Sequence, residues 1–310
     1  MLTNLFILVC ALFVIMKGAT LATKYASLLA ESYHLSKYTV GFIIIAVISI
    51  LPETFVAINS AIEGVPEFGL GTLFGSNIAD LTLVFALVLF VVGRGLKVES
   101  KILKNKKTYP LILFLPLILG IDGFYGRIDG LVLILVGAVF YFIALKNGMD
   151  NKIFKNQTGR LKSASMLLFG MALLLFGSYF TVISASDLAV SLGIDSILIG
   201  MLIVGVGATI PEIFFSIKAI KKNDDSLAIG DILGTVLADA TIVVGIIALI
   251  TPFVFPRRII FVTGSFMILA VLLLYYFMST GRTLSRKEAY FLFLFWVVFV
   301  LTESFISRAY

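Results

Sequence analysis

Apolar residues run along this chain in long stretches that short polar breaks interrupt. The stretches give ten candidate helices near the length needed to cross a bilayer, which is roughly 20 residues. They cover residues 3–32, 38–61, 68–93, 108–121, 127–146, 163–192, 197–218, 227–251, 258–278 and 288–306. The fourth is short, whereas the first and sixth are long enough to tilt. The pattern predicts an all-α polytopic membrane protein with ten transmembrane helices.

The composition agrees with this pattern and excludes several classes of protein. Hydrophobic residues make up 60% of the chain and charged residues 14%, whereas soluble domains contain about 45–50% and 25%. With one His and one Cys, the chain cannot form a His/Cys zinc site or a disulfide framework. Gly230-Asp231 matches an intramembrane aspartyl protease motif only in part. We therefore expect no enzyme and no cofactor.

The positions of Lys and Arg predict the orientation in the membrane. Eighteen of the 24 basic residues lie in the loops that follow spans 1, 3, 5, 7 and 9, and four lie on the opposite side. Cytoplasmic loops of membrane proteins carry such an excess. We expect a multi-pass protein of the cell membrane with extracellular termini and cytoplasmic basic loops. The same bias explains the net charge of +6 without a nucleic-acid partner.

The two halves of the chain repeat each other at an offset of 159 residues. The matches are mainly glycines, prolines and acids, which chance similarity between apolar segments would not favour. They include Gly18 with Gly177, Pro52-Glu53 with Pro211-Glu212, Gly71 with Gly230, Gly75 with Gly234, and Ala79-Asp80 with Ala238-Asp239. Because five spans form each repeat, the second is inverted in the membrane, as in secondary transporters. We predict a first inverted repeat over residues 1–146, a cytoplasmic linker over 147–162 and a second repeat over 163–310.

Acidic residues inside the predicted spans indicate an ion site. A charge at the bilayer centre costs about 2.5–3.5 kcal/mol on insertion scales, so such residues usually have a function. Four of them form two repeat-related pairs, Glu53 with Glu212 and Asp80 with Asp239. Each Glu follows a proline, which has no N–H and leaves the carbonyl four residues earlier without its helical partner. We expect broken helices that line a cavity at these points.

Hydroxyl side chains lie three or four residues before each acid, on the same helix face. They are Ser49 and Thr209 before the glutamates, and Ser76 and Thr235 before the aspartates. Carboxylate, hydroxyl and carbonyl oxygens are hard ligands that suit calcium, magnesium, manganese or sodium rather than zinc or copper. The sequence therefore predicts an oxygen-lined site for inorganic cations.

The segments around these acids resemble the sodium/calcium exchanger family, part of the cation/calcium antiporter superfamily. The motifs of that family read approximately G-T-S-L-P-E, followed by G-S-N-I-A-D or G-S-x-x-x-N. Residues 48–53 read I-S-I-L-P-E and residues 75–80 read G-S-N-I-A-D, whereas 207–212 read G-A-T-I-P-E and 234–239 read G-T-V-L-A-D. The resemblance extends over nearly the whole chain and implies a minimal ten-span member.

The resemblance implies a calcium–sodium antiporter that works by alternating access, with spans 1 and 6 sliding across the rest. It implies that Glu53 and Glu212 are the central calcium ligands and also serve sodium. The cation sites would be completed by Ser49, Ser76, Thr209, Thr235 and Asp239, and by carbonyls near Ala46 and Gly205, with Asp80 as the repeat mate of Asp239. Cations and the lipid bilayer are the only partners that it implies, and no obligate protein partner is among them.

Four residues depart from the family pattern, and one of them is Ile48, which replaces a Gly and could stiffen the helix break. Ile50 stands where the family has Ser and Ala208 where it has Thr, so two hydroxyls are missing. Asp80 stands where many members have Asn, which gives the four acids a formal charge of −4. Because one calcium ion or three sodium ions leave part of this charge unbalanced, we expect that at least one of Asp80 and Asp239 is protonated in some states, or that an extra cation binds. A proton- or potassium-coupled exchanger of calcium, magnesium or manganese stays open, as does a cation channel.

The charged residues Lys24, Asp187 and Asp231 also lie within predicted spans. Lys24 on span 1 either pairs with Asp187 on span 6 or extends its ammonium group to the membrane surface. Asp231 lies about two helical turns before Asp239. It either lines the inner mouth of the pathway or caps the N-terminus of span 8.

Overall fold

A computed structural model describes residues 2–30, 46–99, 103, 108–147 and 160–309. Within these residues, ten helices follow the ten predicted spans, and we number them α1 to α10. Five helices have one segment each: α1 (Leu2–Ala30), α4 (Thr108–Leu119), α5 (Arg127–Asn147), α6 (Arg160–Leu192) and α10 (Arg286–Ala309). In the first repeat, α2 has two segments (Ala46–Ser49, Leu51–Ile62) and α3 has three (Pro66–Ala79, Asp80–Val84, Phe85–Val92). In the second repeat, α7 has four segments (Ser196–Ile199, Gly200–Val204, Gly205–Ala208, Ile210–Lys221), α8 has three (Asp225–Ala238, Asp239–Val243, Val244–Ile250) and α9 has two (Ile259–Thr263, Gly264–Ser279). Residues 38–45 of predicted span 2 and most of the predicted linker lie outside the described residues.

The helices have the length and composition of membrane spans. Seven of those described are long and apolar enough to cross a membrane, and α4 and the first part of α1 are shorter apolar helices. Almost every residue of α3 and of α8 before its π-turn is buried, so these two helices form the centre of the protein. Outer helices carry large exposed apolar side chains such as Phe6, Phe142 and Phe305. Exposed apolar surface of this kind marks contact with lipid.

Irregular points interrupt the helices at repeat-equivalent positions. One residue separates the two parts of α2 at Ile50 and the last two parts of α7 at Thr209, with φ and ψ of −71° and −7° in the first and −77° and −8° in the second. A π-turn, in which hydrogen bonds run from residue i to i+5, begins at Asp80 in α3 and at Asp239 in α8. The sequence therefore placed both helix breaks correctly. It gave no sign of the π-turns.

Two short β-ribbons show that the repeats are inverted. Strand β1 (Leu96–Lys97), after α3, pairs with β4 (Thr283–Leu284), before α10. Strand β2 (Phe124–Tyr125), between α4 and α5, pairs with β3 (Phe253–Val254), between α8 and α9. Because α4 separates β1 from β2, the two ribbons lie at opposite ends of the helices. The connection after α3 is thus at one end, and the connection after its repeat mate α8 is at the other.

Helices α1 and α6 pack against each other in antiparallel directions through the glycines that the repeat pairs. A Cβ atom on Gly18 would lie 2.9 Å from the carbonyl oxygen of Gly170, and one on Gly177 would lie 3.1 Å from that of Ala11. Both distances are shorter than ordinary side-chain contacts. The glycines therefore allow the two backbones to approach closely at two repeat-related points.

The antiparallel packing shows that the predicted pairing of Lys24 with Asp187 is wrong in this structure. Asp187 lies opposite Asn4, whose Nδ2 atom is 3.4 Å from Asp187 Oδ2. Lys24 lies twenty residues farther along α1, which is about 30 Å at the helical rise. Its Nζ atom lies over the ring of Tyr25, 5.3 Å from the ring centroid.

Ion pairs connect neighbouring segments of the chain at both ends of α7. After α3, Arg94 donates two hydrogen bonds of 2.7 Å to the carboxylate of Asp225 at the start of α8, and the Lys97 backbone N–H donates a third of 2.8 Å. The hydrogen bonds to Asp225 raise the pKa of the Arg94 guanidinium, so this group stays charged. At the other end, Arg258, directly before α9, forms an ion pair with Asp195, directly before α7.

Replacing Arg94 with Ala should lower the stability of the protein by about 1–2 kcal/mol, because the Asp225 carboxylate, which is only 7% exposed, loses two of its donors. Thermal unfolding in detergent measures this change. The matched control is Lys287→Ala, which removes a positive charge from an exposed position of α10. Equal unfolding temperatures for the two variants would show that the ion pair contributes little.

Candidate cation site

The helix breaks place two glutamates at matching points of the repeats. Glu53 lies in the first turn of the helix that starts at Leu51, and Glu212 lies in the first turn of the helix that starts at Ile210. Both side chains are buried, with exposures of 0% and 1%. The positive end of a helix dipole favours a negative side chain at this position.

The π-turns place two aspartates in the same way. Asp80 and Asp239 are the first residues of their π-turns, and both side chains are completely buried. A π-turn changes the direction in which the following side chains leave the helix, and such turns are frequent at functional sites. Repeat symmetry therefore holds for the local backbone of all four predicted acids.

None of the four acids has a hydrogen-bond donor from the part of the protein that the structure describes. All the carboxylate oxygens of Glu53, Asp80, Glu212 and Asp239 are buried and unpaired. A buried carboxylate without a partner is strongly unfavourable. The cluster therefore needs cations or protons to balance its charge.

The acids come together across the two repeats. Asp80 on α3 lies within hydrogen-bonding reach of Glu212 on α7, and it also interacts electrostatically with Glu53 on α2. Asp239 on α8 interacts with Glu53 and with Asp80. Two carboxyl groups as close as Asp80 and Glu212 require a shared proton or a cation between them. The cluster thus lies where α2, α3, α7 and α8 meet.

The predicted hydroxyls are also buried, and most of them donate to the backbone of their own helix. Ser76 donates to the Leu73 carbonyl at 3.0 Å, Thr209 to Val206 at 3.0 Å, and Thr235 to Asp231 at 3.1 Å. A hydroxyl that donates its proton in this way keeps lone pairs that can bind a cation. Ser49 differs, because it donates to the Asp231 side chain at 2.9 Å.

The carbonyls predicted near the breaks accept one hydrogen bond each. The Ala46 oxygen accepts from the Ile50 N–H at 3.0 Å, and the Gly205 oxygen from the Thr209 N–H at 3.3 Å. Each carbonyl has a second lone pair. Close packing holds this region together, since a Cβ atom on Gly205 would lie 2.9 Å from the Ser76 nitrogen.

Asp231 is a member of the cluster that the sequence did not assign to the site. Helix α8 starts at Asp225, so Asp231 lies in its second turn, completely buried, and neither caps the helix nor lines an open mouth. It interacts electrostatically with Glu53 and Glu212. Its spacing of four residues from Thr235 and eight from Asp239 on one helix face was the available signal.

In the described ranges, no three acidic, His or Cys side chains already stand in the arrangement of a metal site. The oxygen donors are nevertheless those that hard cations prefer, and calcium takes six to eight of them. A site of this kind is completed by hydroxyl and carbonyl oxygens as well as carboxylates. The arrangement can bind cations that also bring these groups closer together.

Two inverted repeats that meet at buried acids are the architecture of secondary transporters. The family model described as "Sodium/calcium exchanger protein" matches residues 3–146 and 162–305. The chain therefore belongs to the sodium/calcium exchanger protein family, and it is a multi-pass membrane protein.

Individual relatives and solved structures agree with this assignment. The chain is 28% identical to the uncharacterized membrane protein MJ0091 of Methanocaldococcus jannaschii over 68% of this chain and 70% of that protein. It is 24% identical to the sodium/calcium exchanger MaX1 of Methanosarcina acetivorans over 98% and 99%. A structure of the sodium-calcium exchanger NCX_Mj, soaked with sodium and strontium, has the same fold, with a TM-score of 0.72, 23% identity and coverage of 95% of this chain and 96% of that chain.

Proposed function

We propose that this protein exchanges calcium for sodium across the membrane by alternating access. The observation that carries the proposal is the group of unpaired carboxylate oxygens buried where the two repeats meet. A charge cluster of this kind is stable only when cations or protons occupy it. Membership of the exchanger family and similarity to MaX1 and NCX_Mj support calcium and sodium as the cations.

The proposed cation ligands are the carboxylates, hydroxyls and carbonyls predicted from the sequence. They are Glu53, Glu212, Asp80, Asp239, Ser49, Ser76, Thr209, Thr235 and the carbonyls of Ala46 and Gly205. Burial of all eight side chains supports this assignment. The direct approach of Asp80 to Glu212 supports ligands from both repeats in one site.

The division into repeats and the orientation belong to the same proposal. The two segments that the family model matches support a first repeat over 1–146, a linker over 147–162 and a second repeat over 163–310. The distribution of basic residues supports extracellular termini and cytoplasmic basic loops. Transport of this kind requires no enzyme chemistry, no cofactor and no obligate protein partner.

Movement of the α1–α6 pair would switch access between the two sides. The close packing at Gly18 and Gly177 supports motion of the pair as one body. Its polar contacts with α2 include the bond from Asn59 Nδ2 to Ser178 Oγ, at 2.6 Å. Part of the contact between the α1–α6 pair and α2 is therefore a hydrogen bond, which water can replace when the pair slides.

An alternative coupling ion is favoured by three side chains. Ile50 and Ala208 are buried beside the helix breaks, where they provide no oxygen. Asp80 adds a negative charge that one calcium ion cannot balance together with the other acids. Protons or potassium could therefore replace sodium as the coupling ion, and magnesium or manganese could replace calcium.

Calcium-45 uptake into proteoliposomes tests these proposals, with sodium, potassium and pH gradients imposed one at a time. We expect uptake into sodium-loaded vesicles to exceed the uptake into protein-free vesicles, because outward sodium movement drives calcium inward. Faster uptake with an outward potassium or proton gradient alone would identify the alternative coupling ion. Downhill calcium flux that ignores all three gradients would contradict exchange and indicate a channel.

A further inference from the structure

The side chain of Asp231 combines complete burial with an unused oxygen. It lies six residues after the start of α8, about 9 Å along the helix from Asp225. Its Oδ1 atom accepts the hydrogen bond from Ser49, whereas Oδ2 has no donor among the described residues. Because an unpaired buried carboxylate oxygen is unfavourable, this atom needs a partner that the described protein groups do not provide.

The surroundings of Asp231 are negative. Glu53 and Glu212 both interact with it electrostatically, and Asp80 does so as well. The other charged group fixed on α8 near its start, Asp225, is already bound by Arg94. The partner of Asp231 must therefore be positive and small enough to enter a closely packed region.

The two repeats differ at this position. The residue 159 positions earlier is Thr72, a neutral side chain whose hydroxyl donates to the Phe68 carbonyl at 3.0 Å. The second repeat therefore has an acid that the first repeat lacks. This acid lies between the central glutamates and the start of α8, where Arg94 binds Asp225. With Asp231 the cluster has five carboxylates, so that neither one calcium ion nor three sodium ions balance its formal charge.

We propose that Asp231 Oδ2 and the Ser49 hydroxyl oxygen form an additional position for a hard monovalent cation such as sodium. Ser49 donates its proton to Asp231, so its lone pairs are available to the ion. Asp231 contributes a single negative charge at this position, which matches a monovalent ion, whereas calcium carries two charges and takes six to eight oxygens. The position lies next to the glutamates, on the side of the Arg94–Asp225 ion pair, and it deepens the proposed exchange function, on which it rests.

Equilibrium binding to the purified full chain tests the additional position. Calcium-45 is displaced with increasing sodium chloride at constant ionic strength, with N-methyl-D-glucamine chloride as the replacement salt, and sodium-22 binding is counted directly. The variant Asp231→Asn keeps an acceptor for Ser49 but loses the charge. The variant Asp231→Thr introduces the residue of the other repeat, and Asp187→Asn is the control, because that acid lies on the exposed face of α6.

We expect Asp231→Asn and Asp231→Thr to bind one sodium ion fewer and to lower the Hill coefficient of sodium competition by about one. Calcium binding without sodium should change less than about threefold, since the glutamates remain, and the control should match the unchanged chain. A monodisperse elution profile in detergent confirms that each variant is folded. If both Asp231 variants aggregate, Asp231→Ser takes their place with the same expected loss of sodium.

Two results would overturn the inference. One is an Asp231→Asn variant with unchanged sodium binding and competition. The other is a loss of calcium binding in Asp231→Ala but not in Asp231→Asn. Asn still accepts the hydrogen bond from Ser49 whereas Ala does not, so this result would show that Asp231 only orients Ser49. Failure of the proposed exchange function would give a different result. The unchanged chain would then show no calcium binding that depends on Glu53, so Glu53→Gln would remove none. Sodium-22 binding would still report on Asp231.

Discussion

Replacing Glu53 or Glu212 with Gln should reduce calcium-45 uptake by reconstituted protein to the level of protein-free vesicles. Gln has nearly the same shape as Glu but lacks the charge that balances a divalent ion. Both side chains lie where the two repeats meet, so neither repeat can compensate for the loss in the other. Uptake into sodium-loaded vesicles measures the effect.

The same variants should not unfold more easily. In the unchanged chain the carboxylate oxygens of Glu53 and Glu212 are buried without donors, so removing a charge relieves an unfavourable interaction. We expect the unfolding temperature without calcium to stay equal or to rise. Added calcium should stabilise the unchanged chain by mass action and leave the Gln variants unaffected.

Asp187→Asn is the matched control for these experiments. It removes an acid from a membrane-spanning helix, but from an exposed position on α6 that contacts Asn4. We expect it to keep calcium uptake and the stabilisation by calcium. Transport by either Gln variant at the rate of this control would show that the buried glutamates are not the cation ligands.

Replacing Gly75 with Ala should lower stability by about 3 kcal/mol, near the upper end of the usual effect of overpacking. A Cβ atom at this position would overlap the Met201 carbonyl oxygen and lie 2.7 Å from the Met201 Cα atom, both of them backbone atoms of α7. Backbone cannot move aside as a flexible side chain can, so α3 and α7 would have to separate. Thermal unfolding in detergent measures the loss.

Separation of α3 from α7 should also disturb the cation site, because Ser76 follows Gly75 directly and Asp80 faces Glu212 across this interface. We therefore expect weaker stabilisation by calcium in addition to a lower unfolding temperature. Gly126→Ala is the control, since its new Cβ atom would meet only side-chain atoms, the nearest 3.1 Å away on the Phe124 ring. An unfolding temperature for Gly75→Ala equal to that of this control would contradict the contact.

The repeat and the acid pairs could be predicted because each depends on local sequence. Apolar runs predict spans, since a buried backbone in lipid must form helices. The prolines three residues after Ser49 and two after Thr209 have no N–H, so each removes a hydrogen bond from its helix. For these reasons the two breaks, the four buried acids and those ends of the predicted spans that the structure describes agree with it to within a few residues.

Contacts between distant segments could not be predicted in the same way. The offset between the repeats gave no direction for the packing of α1 against α6, and the antiparallel arrangement brings Asn4, not Lys24, to Asp187. Arg94 appeared in the sequence only as one basic residue among several, but the fold places it on Asp225. Such pairs depend on which helix ends meet.

The sequence by itself thus determined that this protein spans the membrane, that its halves are duplicated and inverted, and that four acids lie within its helices. Helical periodicity and the cost of charge in lipid are sufficient for these conclusions, since both act over a few residues. Only the tertiary structure decided which acids share one cluster. It placed Asp231 beside Ser49, a residue 182 positions away, because the side chains that surround a buried charge come from different helices, and their packing fixes the distances between them.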